Sequence, residues 1–129
     1  MVKEQLQKPT TSELEILHVL WERGPSTVRE VHDALSEKKD LGYTTVLKLL
    51  QIMTTKGLVR RNEEQRAHVY EACQPATETK RQLVGDVLKR VFDGSASELM
   101  IHALEGRRTS REELDELRRL LDEYEGRSR

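Results

Sequence analysis

Residues 41–62 read LGYTTVLKLLQIMTTKGLVRRN, and the way this stretch folds decides the chain. Val46, Leu49, Leu50 and Met53 recur at i, i+3, i+4 and i+7, the spacing of one face of an α-helix. The spacing predicts a helix over 43–56, ended by Gly57. At about 100° per residue the opposite face carries Thr44, Lys48, Gln51 and Thr55. The stretch contains no Asp or Glu, although in proportion to the 23 acids among 129 residues it would hold about four. A helix whose outward face is short, polar and free of acids suits a surface of phosphate oxygens.

The flanks place this helix third in a series. Residues 12–23 form an amphipathic helix, with Ser12 and Glu15 at capping-box spacing and Leu14, Leu17, Leu20 and Trp21 facing the core. Gly24-Pro25 stops it. A second helix over 27–38 starts at another capping box, Thr27 with Glu30, and turns Val28, Val31 and Leu35 inward. Downstream of the third helix, two strand-like runs at 58–61 (LVRR) and 68–71 (HVYE) enclose the polar segment 62–67, as in a β-hairpin. Three helices followed by a hairpin is the order of a winged helix-turn-helix. Helices one and two cover the apolar side of helix three, and the hairpin flanks the duplex beside it.

Beyond Pro75 the pattern is helical throughout. A helix over 77–93 is expected to bury Leu83, Val84, Val87, Leu88, Val91 and Phe92. Ser95 with Glu98 opens a short helix ended by Gly106, and Ser110 with Glu113 opens a last one with Leu114, Leu117, Leu121 and Tyr124 at heptad-like spacing. Short helices with little of their own chain to pack against need a partner. A symmetric dimer through Val87, Val91, Leu99, Met100, Leu104, Leu114, Leu117 and Leu121 supplies one; folding back on the first domain is the alternative. The expected fold is mostly α with a small β-hairpin, divided into a winged-helix DNA-binding domain at 1–74 and a helical dimerisation region at 75–129.

Whole-chain numbers conceal the proposed interface. Net charge is −1, with 36% hydrophobic and 35% charged residues, values that suit a helical protein with a modest core. Locally, residues 41–70 hold Lys48, Lys56, Arg60, Arg61 and Arg66 against Glu63 and Glu64. One positive strip is the least that phosphate contact requires. The lone Cys73 excludes an internal disulfide framework and fits a reducing cytoplasm. No apolar run approaches the roughly 18 residues of a membrane span, and MVKEQLQK is not a signal peptide, so a cytoplasmic location is expected.

The candidate DNA contacts follow from position. Thr44, Thr45 and Lys48 lie early on helix three, where a recognition helix points groups at base edges and phosphates; the two threonines would otherwise cap its first turn. Tyr43 either donates to a phosphate or packs at the helix start. Gln51 has the donor-acceptor pair that reads adenine, and Thr55 completes the face. In the hairpin, Arg60 and Arg61 alternate to opposite faces, Arg66 is the foremost phosphate or minor-groove candidate, and His68 either joins it or braces the hairpin backbone. His18, His32 and His102 have no metal-ligand spacing, and HxxxH and HExxH are absent. No cofactor, metal or catalytic constellation is expected: there is no phosphate-cradling glycine loop and no GxSxG. Two other functions remain open on these residues, a winged-helix protein-interaction module and a ligand-sensing MarR-like regulator. An acid-free helix three argues against the first. Aromatics at 4% argue against the aromatic-lined pocket of the second.

The segments ELEILHVLWERGPSTVREVHDAL, YTTVLKLLQIMTTKGLV, RAHVYEA and VFDGSASELMIHALE resemble, in order and spacing, the BlaI/MecI/CopY family of penicillinase-type repressors. The resemblance implies a homodimeric winged-helix repressor on a dyad-symmetric promoter operator, its recognition helices about 34 Å apart. It also implies release by a membrane-bound sensor zinc protease that cuts the C-terminal region. Copper-responsive relatives carry Cys-x-Cys pairs near the C-terminus, whereas this chain ends YEGRSR. In the cleaved relatives the scissile bond is Asn-Phe; here the aligned position is His102-Ala103.

Overall fold

A computed structural model describes residues 8–64 and 66–127; the N-terminal segment read above as lacking a signal peptide lies outside them, save Lys8. The order is α1 (Thr11–Arg23), β1 (Ser26–Thr27), α2 (Val28–Ser36), α3 (Tyr43–Lys56), β2 (Val59–Asn62), β3 (Val69–Ala72), α4 (Ala76–Arg90), α5 (Ala96–Glu105) and α6 (Arg111–Arg127). The expected class holds: mostly helical, with a small antiparallel sheet.

The first helix starts at a different cap from the one expected. Thr10, not Ser12, is the N-cap: its hydroxyl accepts the Glu13 N–H at 3.2 Å, and the Glu13 carboxylate accepts the Thr10 N–H at 2.8 Å. Both pairs have the same spacing in sequence. Tertiary structure decides between them, because Glu13 is buried and also receives Lys56 Nζ at 2.7 Å. Gly24, at φ +86°, closes α1 through its N–H to Leu20 O. The second capping box forms as expected, Thr27 Oγ1 accepting from Glu30 N–H and Glu30 from Thr27 N–H. Hydrogen bonding to Thr27, first to its backbone N–H and then to its side chain, holds the Glu30 carboxyl below the usual carboxylate range, with Arg23 adding a smaller push in the same direction. α2 ends at Ser36, two residues early, and the Ser36 hydroxyl donates to His32 O at 2.8 Å.

Between these helices lies a two-residue strand that the sequence pattern did not announce. Ser26 and Thr27 pair with Tyr70 and Val69, giving a three-stranded sheet in the order β1-β3-β2. β2 and β3 run antiparallel with Val59 opposite Ala72 and Arg61 opposite Tyr70. Each hairpin strand begins one residue later than expected. Leu58 is still tied to α3, donating to Met53 O at 2.9 Å, while Gly57 at φ +83° makes the left-handed C-cap.

The core gathers Ile16, Leu17 and Leu20 from α1, Val28, Val31 and Leu35 from α2, Val46, Leu50 and Met53 from α3, and Val59 and Tyr70 from the sheet. Trp21 was expected inside but is only half-buried, because its indole Nε1 reaches outward to donate to Gln74 O at 2.9 Å. Ile16 takes the place in the stripe that the sequence reading missed. Leu49 stays at the margin of the core.

The chain divides into two compact units, one ending at Leu83 and one beginning at Val84. α4 stops at Arg90, three residues short of expectation, since Asp93 and Gly94 turn into the left-handed region and Gly94 N–H closes on Leu88 O. Ser95 and Ser110 accept the N–H groups of Glu98 and Glu113 as anticipated. Burial is where the second unit departs from expectation. Among the described residues from 84 onward none is buried, and Val84, Val87 and Val91 are exposed while Leu83, Leu88 and Phe92 are half-buried.

Candidate nucleic-acid interface

α3 owes its orientation to the core. Val46, Leu50 and Met53 are buried on one side, so helical phase turns Thr44, Thr45, Lys48, Gln51 and Thr55 to solvent, where all five are exposed. Gly42 is the N-cap and no side chain caps the helix. Thr44 and Thr45 therefore do not act as caps, and their hydroxyls face outward with the rest of the row. Thr55 donates back to Gln51 O at 3.3 Å, leaving its lone pairs to accept.

Tyr43 packs at the helix start while staying partly exposed. Its ring is 42% exposed, yet it lies under the Arg29 guanidinium, 5.5 Å from carbon to centroid, and meets His32 edge-on at 6.1 Å. The hairpin cations divide. Arg60 Nε donates to Glu71 at 2.7 Å across β2 and β3, a bond that raises the guanidinium pKa further above its ordinary value. Arg61 pairs with Glu63. Arg66 and His68 are exposed, and among the described residues neither has an ion pair or side-chain hydrogen bond. Among the described residues His68 makes no side-chain bond to the hairpin backbone.

Pairing redraws the positive strip. Lys56 belongs to the fold: besides Glu13 it donates to Lys8 O at 3.1 Å. With Lys56, Arg60 and Arg61 engaged, Lys48 and Arg66 are the strip's cations without an ion pair among the described residues. Arg29 joins them from α2. It lies outside the acid-free window, and nothing in the periodicity marks it; only the fold brings it beside Tyr43 and Arg66. These three line an open groove of about 250 Å³ that also touches Leu47 and His68.

The residues named for dimerisation carry graded exposure. Val87, Val91 and Leu121 are exposed, the latter two at 67% and 66%, while Leu99, Met100, Leu104, Leu114 and Leu117 are half-buried. Ile101, Leu120 and Tyr124 add exposed apolar surface. His102 and Ala103 are exposed on α5, and the His102 ring lies 5.6 Å from that of Phe92. Among the described residues no three His, Cys, Asp or Glu side chains group as a metal site would require, and no helix is long and apolar enough to cross a membrane.

The family model described as penicillinase repressor matches residues 9–123. The transcriptional regulator BlaI of Mycobacterium tuberculosis is 40% identical over 112 residues, covering 85% of this chain and 80% of that one. The penicillinase repressor of Bacillus licheniformis is 24% identical over 126 residues, 98% of each chain. The methicillin resistance regulatory protein MecI of Staphylococcus aureus is 20% identical over 113 residues, 88% of this chain and 92% of its own.

Proposed function

The chain belongs to the penicillinase repressor family, whose members are transcriptional repressors rather than enzymes, and we propose that it acts as a homodimer on a dyad-symmetric promoter operator. In this reading α3 enters the major groove, with Thr44, Thr45 and Gln51 reading base edges and Lys48 on the backbone. The hairpin lies against the flanking phosphates through Arg66 and His68, with Tyr43, Thr55, Arg60 and Arg61 at the margins. The C-terminal helices join two protomers, and the bound dimer blocks transcription. The observation that carries this is the exposed, acid-free face of α3, held outward by the burial of Val46, Leu50 and Met53.

Lys48→Ala tests it. Affinity is expected to fall on operator and unrelated duplex alike, with the slope of log K against log salt reduced by about 1, the mark of a lost phosphate contact. Unchanged affinity would remove Lys48 from the interface.

Derepression, in the same proposal, follows cutting of the C-terminal region by a membrane-bound sensor zinc protease. The support is the family resemblance and the exposure of His102 and Ala103. Induced cells should contain a fragment whose end maps within α5, identified by mass spectrometry. An intact chain in fully derepressed cells would exclude proteolysis as the trigger.

A further inference from the structure

We infer that Arg29, on the first turn of α2 and outside both the recognition helix and the wing, binds a DNA backbone phosphate in the groove it shares with Tyr43 and Arg66. This rests on the DNA-binding reading above and adds to it a contact from a third element.

Three observations converge on Arg29. Its guanidinium is stacked on the Tyr43 ring at 5.5 Å, which holds a planar cation in place while leaving its N–H edge for a ligand. Among the described residues Arg29 has no ion pair, and the acids beside it on α2 are engaged elsewhere: Glu30 accepts from Thr27 N–H at 2.9 Å and sits 3.6 Å from Arg23, and Asp33 lies 3.3 Å from His32 Nδ1. Finally, among the described residues the groove lining includes Arg29, Arg66 and His68 but no Asp or Glu, in a protein that carries more acids than Lys and Arg. An acid-free groove with two guanidinium groups and a tyrosine, opening beside α3, is complementary to a phosphodiester. Guanidinium forks match two phosphate oxygens at once, and the Tyr43 ring fixes one fork without a hydrogen-bond partner of its own.

The occupant is a phosphate of the bound duplex rather than a free anion. Tyr43 ties the groove to the first turn of α3, so a strand whose neighbouring bases face Thr44 and Lys48 passes this point.

The test uses the full chain and a random-sequence duplex, since a phosphate contact is independent of sequence. Arg29→Gln is expected to weaken binding about tenfold and to lower the salt slope by about 0.9 per protomer. Arg29→Lys should restore most of the slope, because charge is kept, and only part of the affinity, because the fork is lost. Inorganic phosphate at concentrations matched in ionic strength to chloride should not compete; selective competition would assign the groove to a free anion and overturn the proposal. If Arg29→Gln leaves affinity and slope unchanged while Lys48→Ala reduces both, Arg29 is no contact and the recognition helix still is. If the unaltered protein binds neither this duplex nor its own promoter, the DNA-binding reading falls with the inference.

Discussion

A chain ending at Leu83 is expected to be a monomer that binds its operator at least about 100-fold more weakly than the full protein. The cut falls at the boundary between the two compact units. It keeps buried Thr79 of α4 and, just before that helix, the Gln74 carbonyl that receives Trp21. It removes Val84, Val87, Val91, Ile101, Leu121 and Tyr124, all exposed in the single chain. Apolar surface of that kind is worth about 25 cal/mol per Å² once covered, and in the proposed homodimer a second copy would cover it symmetrically. The size of the loss follows from bivalency. With two heads joined, the second half-site is engaged intramolecularly, which raises overall affinity by about 10² to 10⁴ without any new contact.

Two measurements separate this from simple misfolding. The truncated chain should keep the affinity of one head for an isolated half-site, and its winged-helix unit should still unfold cooperatively. Sedimentation equilibrium reads the oligomeric state directly. A truncated chain that remains dimeric would take dimerisation away from the C-terminal helices and place it on the first unit.

Helix α3 could be read from sequence because its signal is local. Val46, Leu50 and Met53 repeat with helical period, and Gly57 adopts the left-handed conformation that ends the run. What escaped depends on partners remote in the chain. β1 is two residues long and exists only through Tyr70 and Val69, so no periodicity could announce it. Ser12 with Glu15 and Thr10 with Glu13 have identical spacing, and the choice is made by Lys56, 43 residues away from Glu13. Charge counting meets the same limit. It put Lys56 in the positive strip although Lys56 pairs with buried Glu13, and it gave no signal at Arg29, because a side chain's partner is a tertiary fact. The burial expected of Val84, Val87 and Val91 failed differently: the apolar stripe is present, and these three residues are exposed along it.

Lys56→Ala is expected to destabilise the winged-helix unit by about 3 kcal/mol, seen as a lower denaturant midpoint at unchanged slope. Glu13 is 2% exposed, and its carboxylate has two donors, Thr10 N–H at 2.8 Å and Lys56 Nζ at 2.7 Å. Removing the ammonium leaves a charge buried with one donor, and breaking such a pair costs about 3 to 5 kcal/mol. The lower end applies here, since the lysine side chain is 21% exposed and water can enter where it stood. The same change releases the Lys8 carbonyl, which receives the second Lys56 bond. Glu13→Leu combined with Lys56→Met should recover most of the loss, because an apolar pair of similar volume often replaces a buried ion pair at little cost. The remaining deficit is the capping bond to Thr10, worth about 1 kcal/mol. DNA affinity per folded molecule should stay unchanged in both variants. A stability loss under about 1 kcal/mol together with weakened DNA binding would return Lys56 to the DNA face and refute its structural assignment.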